Sequence, residues 1–176
     1  SGSNDLAYAG WRKIGGSVKW SLIVRDGTGW VSAYSSMGPS LNQWYSVELH
    51  WVGASANGVG ELYVNGQLAC SIQGRNTAAL GSVDQVRFGL AEVYNCASNT
   101  INADCLKTSK TPIGPEASPT PTPGPAIFED GFESGSFSAW TGTYTSSGEG
   151  AAVVNSMPYR GSFSAMFSSN GNGDYE

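Results

Sequence analysis

Three carboxylates lie within a short stretch of the chain, at Glu129, Asp130 and Glu133. Gly131 and Gly135 lie among them, so the backbone there can bend and present carbonyl oxygens. Carboxylate and carbonyl oxygens in an irregular loop are the ligands that Ca²⁺ prefers. The sequence therefore predicts a structural Ca²⁺ site at this loop. The alternative is that the three carboxylates are simply solvated, as acidic loop residues usually are.

Aromatic side chains are the second group that could bind a ligand, because an exposed ring can stack on the apolar face of a sugar. The chain has six Trp residues. Trp20 and Trp51 alternate in phase with aliphatic residues, which predicts that they are buried. Trp11, Trp30 and Tyr34 are less committed to that pattern. They are the candidates for a carbohydrate-binding surface, although no spacing singles out a sugar site.

Hydrolytic chemistry is not expected. A glycosidase needs two carboxylates roughly 5–10 Å apart, which on one strand means acidic residues at alternate positions. No such pair occurs in residues 1–114, where Glu48 and Glu61 each stand alone. The single histidine, His50, lies on the polar side of a strand pattern and has no local partner for a Ser-His-Asp arrangement. We therefore predict that the chain is not an enzyme.

The chain has three cysteines, Cys70, Cys96 and Cys105. Cys96 and Cys105 flank a polar loop that a disulfide could close, the alternative being two buried thiols. Cys70 ends an apolar strand pattern, which predicts a thiol in the core. If the protein is secreted, the odd thiol could instead pair with a cysteine outside this segment. No Cys-x-x-Cys is present, which argues against a structural zinc site.

Composition favours an extracellular protein made of strands and turns. Gly is abundant, at 24 of 176 residues, and only 13% of residues are charged. The net charge of −5 argues against a nucleic-acid partner, which calls for clustered Lys and Arg. No apolar run approaches the roughly 20 residues that span a bilayer. We expect a secreted or cell-surface location, with any export signal upstream of this segment.

Apolar residues at alternate positions dominate the first part of the chain. One face of a predicted strand carries Val18, Trp20, Leu22 and Val24. Asp26-Gly27 and Asn65-Gly66 supply tight turns between such strands. The period of 3.6 residues that marks a helix is missing. These patterns predict an all-β fold of antiparallel strands, arranged as a β-sandwich or jelly roll.

Three segments together resemble the concanavalin A-like, laminin-G-like superfamily. They are WYSVEL at 44–49, GELYVNG at 60–66 and DQVRFG at 84–89, and the resemblance covers about residues 17–108. It implies a concanavalin A-like jelly roll in which residues 86–90 form a late strand. It does not imply one activity, because lectins, glycosidases, adhesion modules and structural domains share this fold.

A Pro/Thr-rich linker, residues 115–125, divides the chain. Its prolines fix φ and lack donors, which predicts an extended spacer. Residues 1–114 read as the C-terminal major part of a β-sandwich domain. Residues 126–176 resemble the opening of jelly-roll carbohydrate-binding modules, through FEDGFESG at 128–135 and GSFSAMF at 161–167. A split sandwich of this kind has an unpaired edge. Either strands from a neighbouring copy complete it, or residues 126–176 begin the next repeat of a tandem array.

The second resemblance also extends the predicted Ca²⁺ site. In those jelly-roll families an acidic residue at the first strand and an Asp on the last strand share a structural calcium. The resemblance therefore implies that Asp104, on the segment leading to the linker, is a fourth ligand beside Glu129, Asp130 and Glu133. Such a site would unite the two pieces of the chain, or two copies of it.

Two functions are expected from these features. The first is a non-catalytic extracellular subunit, structural or adhesive, of a repetitive surface or filament protein. Its partners would be copies of itself, joined head to tail by linkers and exchanged strands. The alternative is a carbohydrate-binding module of a secreted polysaccharide-degrading enzyme, with a polysaccharide as partner. Concentration-dependent polymerisation would favour the first, and Trp-dependent retention on glycans the second.

Overall fold

A computed structural model describes residues 5–90, 98–114 and 125–170. Within these ranges all regular structure is antiparallel β-sheet, without helices, which confirms the all-β fold class. No helix in the described ranges is long and apolar enough to cross a membrane. The predicted linker, apart from Pro125, and Cys96 lie outside the described residues.

The strands are short and follow one another along the chain. They are β1 (Ala7–Ile14), β2 (Ser17–Asp26), β3 (Gly29–Tyr34), β4 (Val47–Val52), β5 (Gly58–Val64), β6 (Gln67–Arg75), β7 (Asn99–Ala103), β8 (Leu106–Ser109), β9 (Ala126–Asp130), β10 (Glu149–Val154) and β11 (Ser164–Ser169). The described residues form two compact units. The first unit comprises 5–84 and 112–114, and the second comprises 85–90, 98–111 and 125–170.

The first unit contains two three-stranded antiparallel sheets, in the orders β1-β2-β3 and β4-β5-β6. The turns between strands have the chemistry that the sequence predicts. Asp26 accepts the backbone N–H groups of Thr28 and Gly29 at 2.7 and 3.0 Å. Asn65 and Gly66 both have positive φ, 51° and 75°, as a two-residue hairpin turn of type I′ requires.

Both sheets contribute to one core in the first unit. Trp20, Leu22 and Val24 of β2 pack with Leu62 of β5 and with Cys70 and Ile72 of β6. Leu22, Val24 and Leu62 are fully buried. The alternation of apolar residues along β2 therefore identifies the core face of that strand correctly. Cys70 is buried, as predicted, and its Sγ donates to the carbonyl of Trp20 at 3.6 Å.

The second unit combines segments from both sides of the linker. Its sheets have the orders β10-β11-β7 and β8-β9. β7 pairs with β11 from Ala103↔Ala165 to Asn99↔Ser169, and β8 pairs with β9. The Pro/Thr-rich composition predicts a domain boundary at residues 115–125. The two strand pairings, however, join strands that precede this segment to strands that follow it. Backbone N–H and C=O groups need partners, and these pairings supply them.

Aromatic rings form the centre of the second unit. Phe132 is fully buried and lies against Phe137 and Trp140, with ring centroids 5.9 and 6.2 Å apart. Phe88 contacts Phe167 edge to face at 5.8 Å. Residues 86–90, however, do not form the expected strand. The apolar residues at alternate positions 86, 88 and 90 do not share one buried face. Phe88 packs on Phe167, while Val86 is exposed.

Candidate functional site

The sheet β1-β2-β3 has one face toward the core and one face away from it. We call the second the outer face. Because side chains alternate along a strand, the register of the three strands assigns twelve positions to it. They are Tyr8, Gly10, Arg12 and Ile14 of β1, Ser17, Lys19, Ser21, Ile23 and Arg25 of β2, and Trp30, Ser32 and Tyr34 of β3.

An aromatic cluster lies at one end of the outer face. The rings of Tyr8 and Trp30 are 5.3 Å apart between centroids and tilted by 40°. Arg25, the cross-strand partner of Trp30, places its guanidinium carbon 5.4 Å from the centroid of the indole. Such a cation–π contact stabilises the position of the guanidinium over the indole ring. Trp30 is nevertheless 46% exposed, so this ring is available to a ligand.

A buried hydroxyl lies at the middle of the same face. Ser21 is only 3% exposed, and its Oγ has no hydrogen-bond partner among the described residues. Its register neighbours are Gly10 on one side and Tyr34 on the other. A Cβ at Gly10 would meet no atom within 4 Å, so the space beside Ser21 is open. An unpaired buried hydroxyl costs about 1–3 kcal/mol and marks a position where water can supply the partner.

The three aromatic residues that the sequence singles out do not share one surface. Trp30 and Tyr34 both lie on the outer face, where Tyr34 is 40% exposed. Trp11 lies on the opposite face of the sheet and packs edge to face on Trp20, at 6.3 Å between centroids. Tyr8 and Arg25 were missed in the sequence. Their alternation was visible, but only the pairing of β1 and β3 with β2 brings them beside Trp30.

The four predicted calcium ligands all belong to the second unit, but they engage different partners. Glu129 is largely exposed and faces Lys107 at 3.6 Å. Asp130 accepts the N–H of Phe132 and the indole N–H of Trp140, both at 2.7 Å. These bonds explain why Phe132, without being glycine, adopts a φ of 59°.

Asp104 and Glu133 hold the loop between β10 and β11. Oδ2 of Asp104 accepts the N–H groups of Tyr159 and Arg160 at 3.0 and 2.9 Å. Oε1 of Glu133 accepts those of Ser162 and Phe163, both at 3.0 Å. Each carboxylate therefore stabilises backbone that would otherwise lack partners.

Three of these carboxylates already have partners within the protein. In the described ranges no group of three or more His, Cys, Asp or Glu side chains is placed to hold a metal. Ca²⁺ takes six to eight oxygen ligands, whereas three of these four carboxylates accept hydrogen bonds from N–H groups. The calcium site stays a prediction, and the geometry gives these carboxylates another role.

A polar cluster lies on the sheet β4-β5-β6. Glu61 accepts hydrogen bonds from Tyr63 at 2.9 Å and Gln73 at 3.3 Å, and its Oε2 lies 3.0 Å from Nδ1 of His50. The contact with His50 is the main reason that the pKa of Glu61 falls below its usual range. The same carboxylate raises the pKa of Tyr63. His50 thus has a cross-strand partner that its local sequence does not reveal.

Glu48 is committed in a similar way. Its carboxylate accepts the N–H groups of Ile113 and Gly114 at 2.9 and 3.0 Å. Glu48 and Glu61 are therefore both occupied by donors of the protein itself. Glu48 thereby connects residues 113 and 114 to β4.

The cysteine predictions are tested only in part. Burial raises the pKa of the Cys70 thiol, which makes it a poor nucleophile. Cys105 has a φ of 55° and follows Asp104, whose Oδ1 accepts its N–H at 2.7 Å. Because Cys96 lies outside the described residues, the Cys96–Cys105 disulfide stays a prediction.

Comparisons with known proteins identify no relative. A scan of family models found no match to this chain, and searches of curated proteins and of solved structures found none either. The function must therefore be argued from the residues themselves. Among the described residues, the outer face combines exposed rings, a cation and an unpaired hydroxyl.

Proposed function

We propose that this chain is a non-catalytic, secreted carbohydrate-binding protein whose glycan site is the outer face of β1-β2-β3. The observation that carries the proposal is the cluster of Trp30, Tyr8 and Arg25 at one end of the outer face, in which Trp30 is 46% exposed. We further infer that the first unit is a β-sandwich of the concanavalin A-like kind. In support, two three-stranded antiparallel sheets share its core.

The chemistry of a sugar ring matches this face. A pyranose has an apolar side of C–H groups, which packs on an aromatic ring, and a rim of hydroxyls, which needs donors and acceptors. Trp30 and Tyr34 offer the rings, and both are well exposed. Arg25 beside Trp30 offers a donor group for the rim. A flat sheet face also accommodates a linear chain better than a deep pocket does.

The other function considered is a structural or adhesive subunit that exchanges strands with its neighbours. That function needs a neighbouring copy to supply the missing partners of the split sandwich. Here β7 and β8 pair with β11 and β9 of the same chain. Head-to-tail assembly would require the same pairings between copies, so the aromatic cluster of the outer face, which needs no second copy, is the observation that favours carbohydrate binding.

Two tryptophans provide a matched test. Trp30 and Trp11 are 46% and 44% exposed and lie on opposite faces of one sheet. We expect Trp30→Ala to weaken retention in affinity electrophoresis against soluble polysaccharides about tenfold, a stacking loss of ~1.4 kcal/mol. Trp11→Ala should retain binding. Loss of binding in Trp11→Ala alone, or no retention on any glycan by the wild type, would overturn the proposal.

A further inference from the structure

Charge is distributed unevenly over the first unit. Among the twelve positions of the outer face, three are cations, Arg12, Lys19 and Arg25, and none is Asp or Glu. The chain as a whole has a net charge of −5. A random draw from this composition would place more acidic than basic residues on any face. The outer face is therefore a local positive surface on an acidic protein.

The cations lie at the two ends of the face, with Trp30 beside Arg25 at one end and Tyr34 between the ends. Arg12 and Lys19 are cross-strand partners at one end. Arg25 lies six positions beyond Lys19 along β2, about 20 Å away at 3.3 Å per residue. Ser21 lies between these ends, with Tyr34 beside it.

One acidic residue lies close to the Arg25 end. Asp5 precedes β1, and its carboxylate accepts the hydroxyl of Tyr8. Even with Asp5 included, cations outnumber anions by three to one on this surface. Arg12 and Arg25 take part in other interactions of the protein, and Arg25 contacts Trp30. What matters for a ligand is the local excess of positive charge rather than vacant donors.

We propose that the glycan bound by the outer face is an acidic polysaccharide, with carboxylate groups spaced along its chain. This inference rests on the proposed carbohydrate-binding function and names its ligand class. Charge-assisted hydrogen bonds from Arg and Lys to carboxylates are roughly twice as strong as neutral ones. Sugar rings of the same chain would pack on Trp30 and Tyr34, which are both exposed.

A nucleic acid is the other polymer that could use rings together with cations. It carries a phosphate at every nucleotide, and its affinity depends on neutralising many of them. Three cations on a chain of net charge −5 supply little of that neutralisation. An acidic polysaccharide has a lower charge density and more hydroxyls, so the observations favour it.

Polygalacturonate and its fully methyl-esterified form provide a matched pair of probes, because esterification removes the charge and keeps the backbone. We would measure affinities of the full chain by isothermal titration calorimetry at low and moderate salt. The variants are Lys19→Gln and Arg25→Gln. Lys13→Gln is the control, since Lys13 is exposed on β1 but lies on the opposite face by alternation and changes the net charge equally.

The expected result is about tenfold tighter binding of polygalacturonate than of its ester, weakening with salt. Lys19→Gln and Arg25→Gln should each lose several-fold in affinity, and Lys13→Gln should not. Equal binding of both probes that is lost in Trp30→Ala would overturn this inference and leave the proposed function standing. Binding of neither probe nor any neutral glycan would overturn both. Tighter binding of oligo(dT) than of polygalacturonate would also overturn the inference.

Discussion

Asp104 and Glu133 bind the two halves of one loop. The carboxylate of Asp104, from the segment before the linker, accepts the N–H groups of Tyr159 and Arg160. Glu133, from the segment after it, accepts those of Ser162 and Phe163. Gly161 lies between the two bound pairs with a φ of 66°. The loop thus requires both pieces of the chain, because each piece contributes one of its two anchors.

Replacement of Asp104 by Ala should destabilise the second unit. Hydrogen bonds to a charged group contribute about 1.5–3 kcal/mol each, and because both of these are exposed to solvent we expect a loss below the sum of two, about 2–4 kcal/mol. Denaturant unfolding would measure the change. Glu129→Ala is the matched control, because Glu129 is exposed and faces only Lys107 among the described residues. Equal effects of the two substitutions would show that the loop anchor contributes nothing.

Gly161→Ala should also destabilise the protein. A Cβ at this position would lie 2.4 Å from the carboxyl carbon of Glu133, and the φ of 66° disfavours any side chain. Gly135→Ala is the control, since its φ of 69° is similar but the nearest atom would be 3.9 Å away. We expect about 1 kcal/mol for Gly135→Ala and a clearly larger loss for Gly161→Ala, by thermal or denaturant unfolding. A smaller loss for Gly161→Ala would contradict the clash.

Removal of calcium should leave stability unchanged. Asp104, Asp130 and Glu133 accept N–H groups of the protein, and these bonds fix the loop without an ion. We expect the same melting temperature in EDTA and in millimolar Ca²⁺. An increase of several degrees in Ca²⁺ that disappears in Asp104→Asn would restore the calcium site that the sequence predicts.

Acid stability should depend on Glu61. Hydrogen bonding to His50 and Tyr63 lowers its pKa in the folded state below the ordinary value of 4.5. A carboxyl with a depressed folded pKa contributes stability that is present above the unfolded pKa and lost as the pH falls through the folded one. Glu61→Gln should therefore flatten the loss of unfolding free energy below about pH 4.5. Glu129→Gln is the control and should leave the pH dependence unchanged. If Glu61→Gln also leaves the loss of unfolding free energy at low pH unchanged, Glu61 does not contribute to acid stability.

Ser21→Ala should separate stability from binding. Its Oγ is buried without a partner in the described residues, so its removal should leave the unfolding free energy unchanged or raise it by about 1 kcal/mol. Glycan affinity should stay unchanged, because the buried Oγ is not accessible to a ligand on the outer face. Ser71→Ala, on β6, is a control for both readouts. A strong loss of stability in Ser21→Ala would show that the hydroxyl has a structural partner.

The sequence by itself determined the fold class and part of the core. Alternation placed Trp20, Leu22 and Val24 on one buried face, because side chains of a strand alternate whatever lies around it. Asn65-Gly66 determined its own turn, since both residues tolerate positive φ. These features depend on a few neighbouring residues, so local chemistry is enough to predict them.

Only the tertiary structure decided which residues meet. The pairing of β1 and β3 with β2 brings Tyr8 and Arg25 to Trp30 and places Trp11 on the other face. The pairing of β7 with β11 joins chain from both sides of the linker, where composition indicated a boundary. Register and long-range pairing depend on the turns and on the apolar faces of both partner strands together. Side-chain patterns along one segment therefore cannot specify them, and the assembled sheets do.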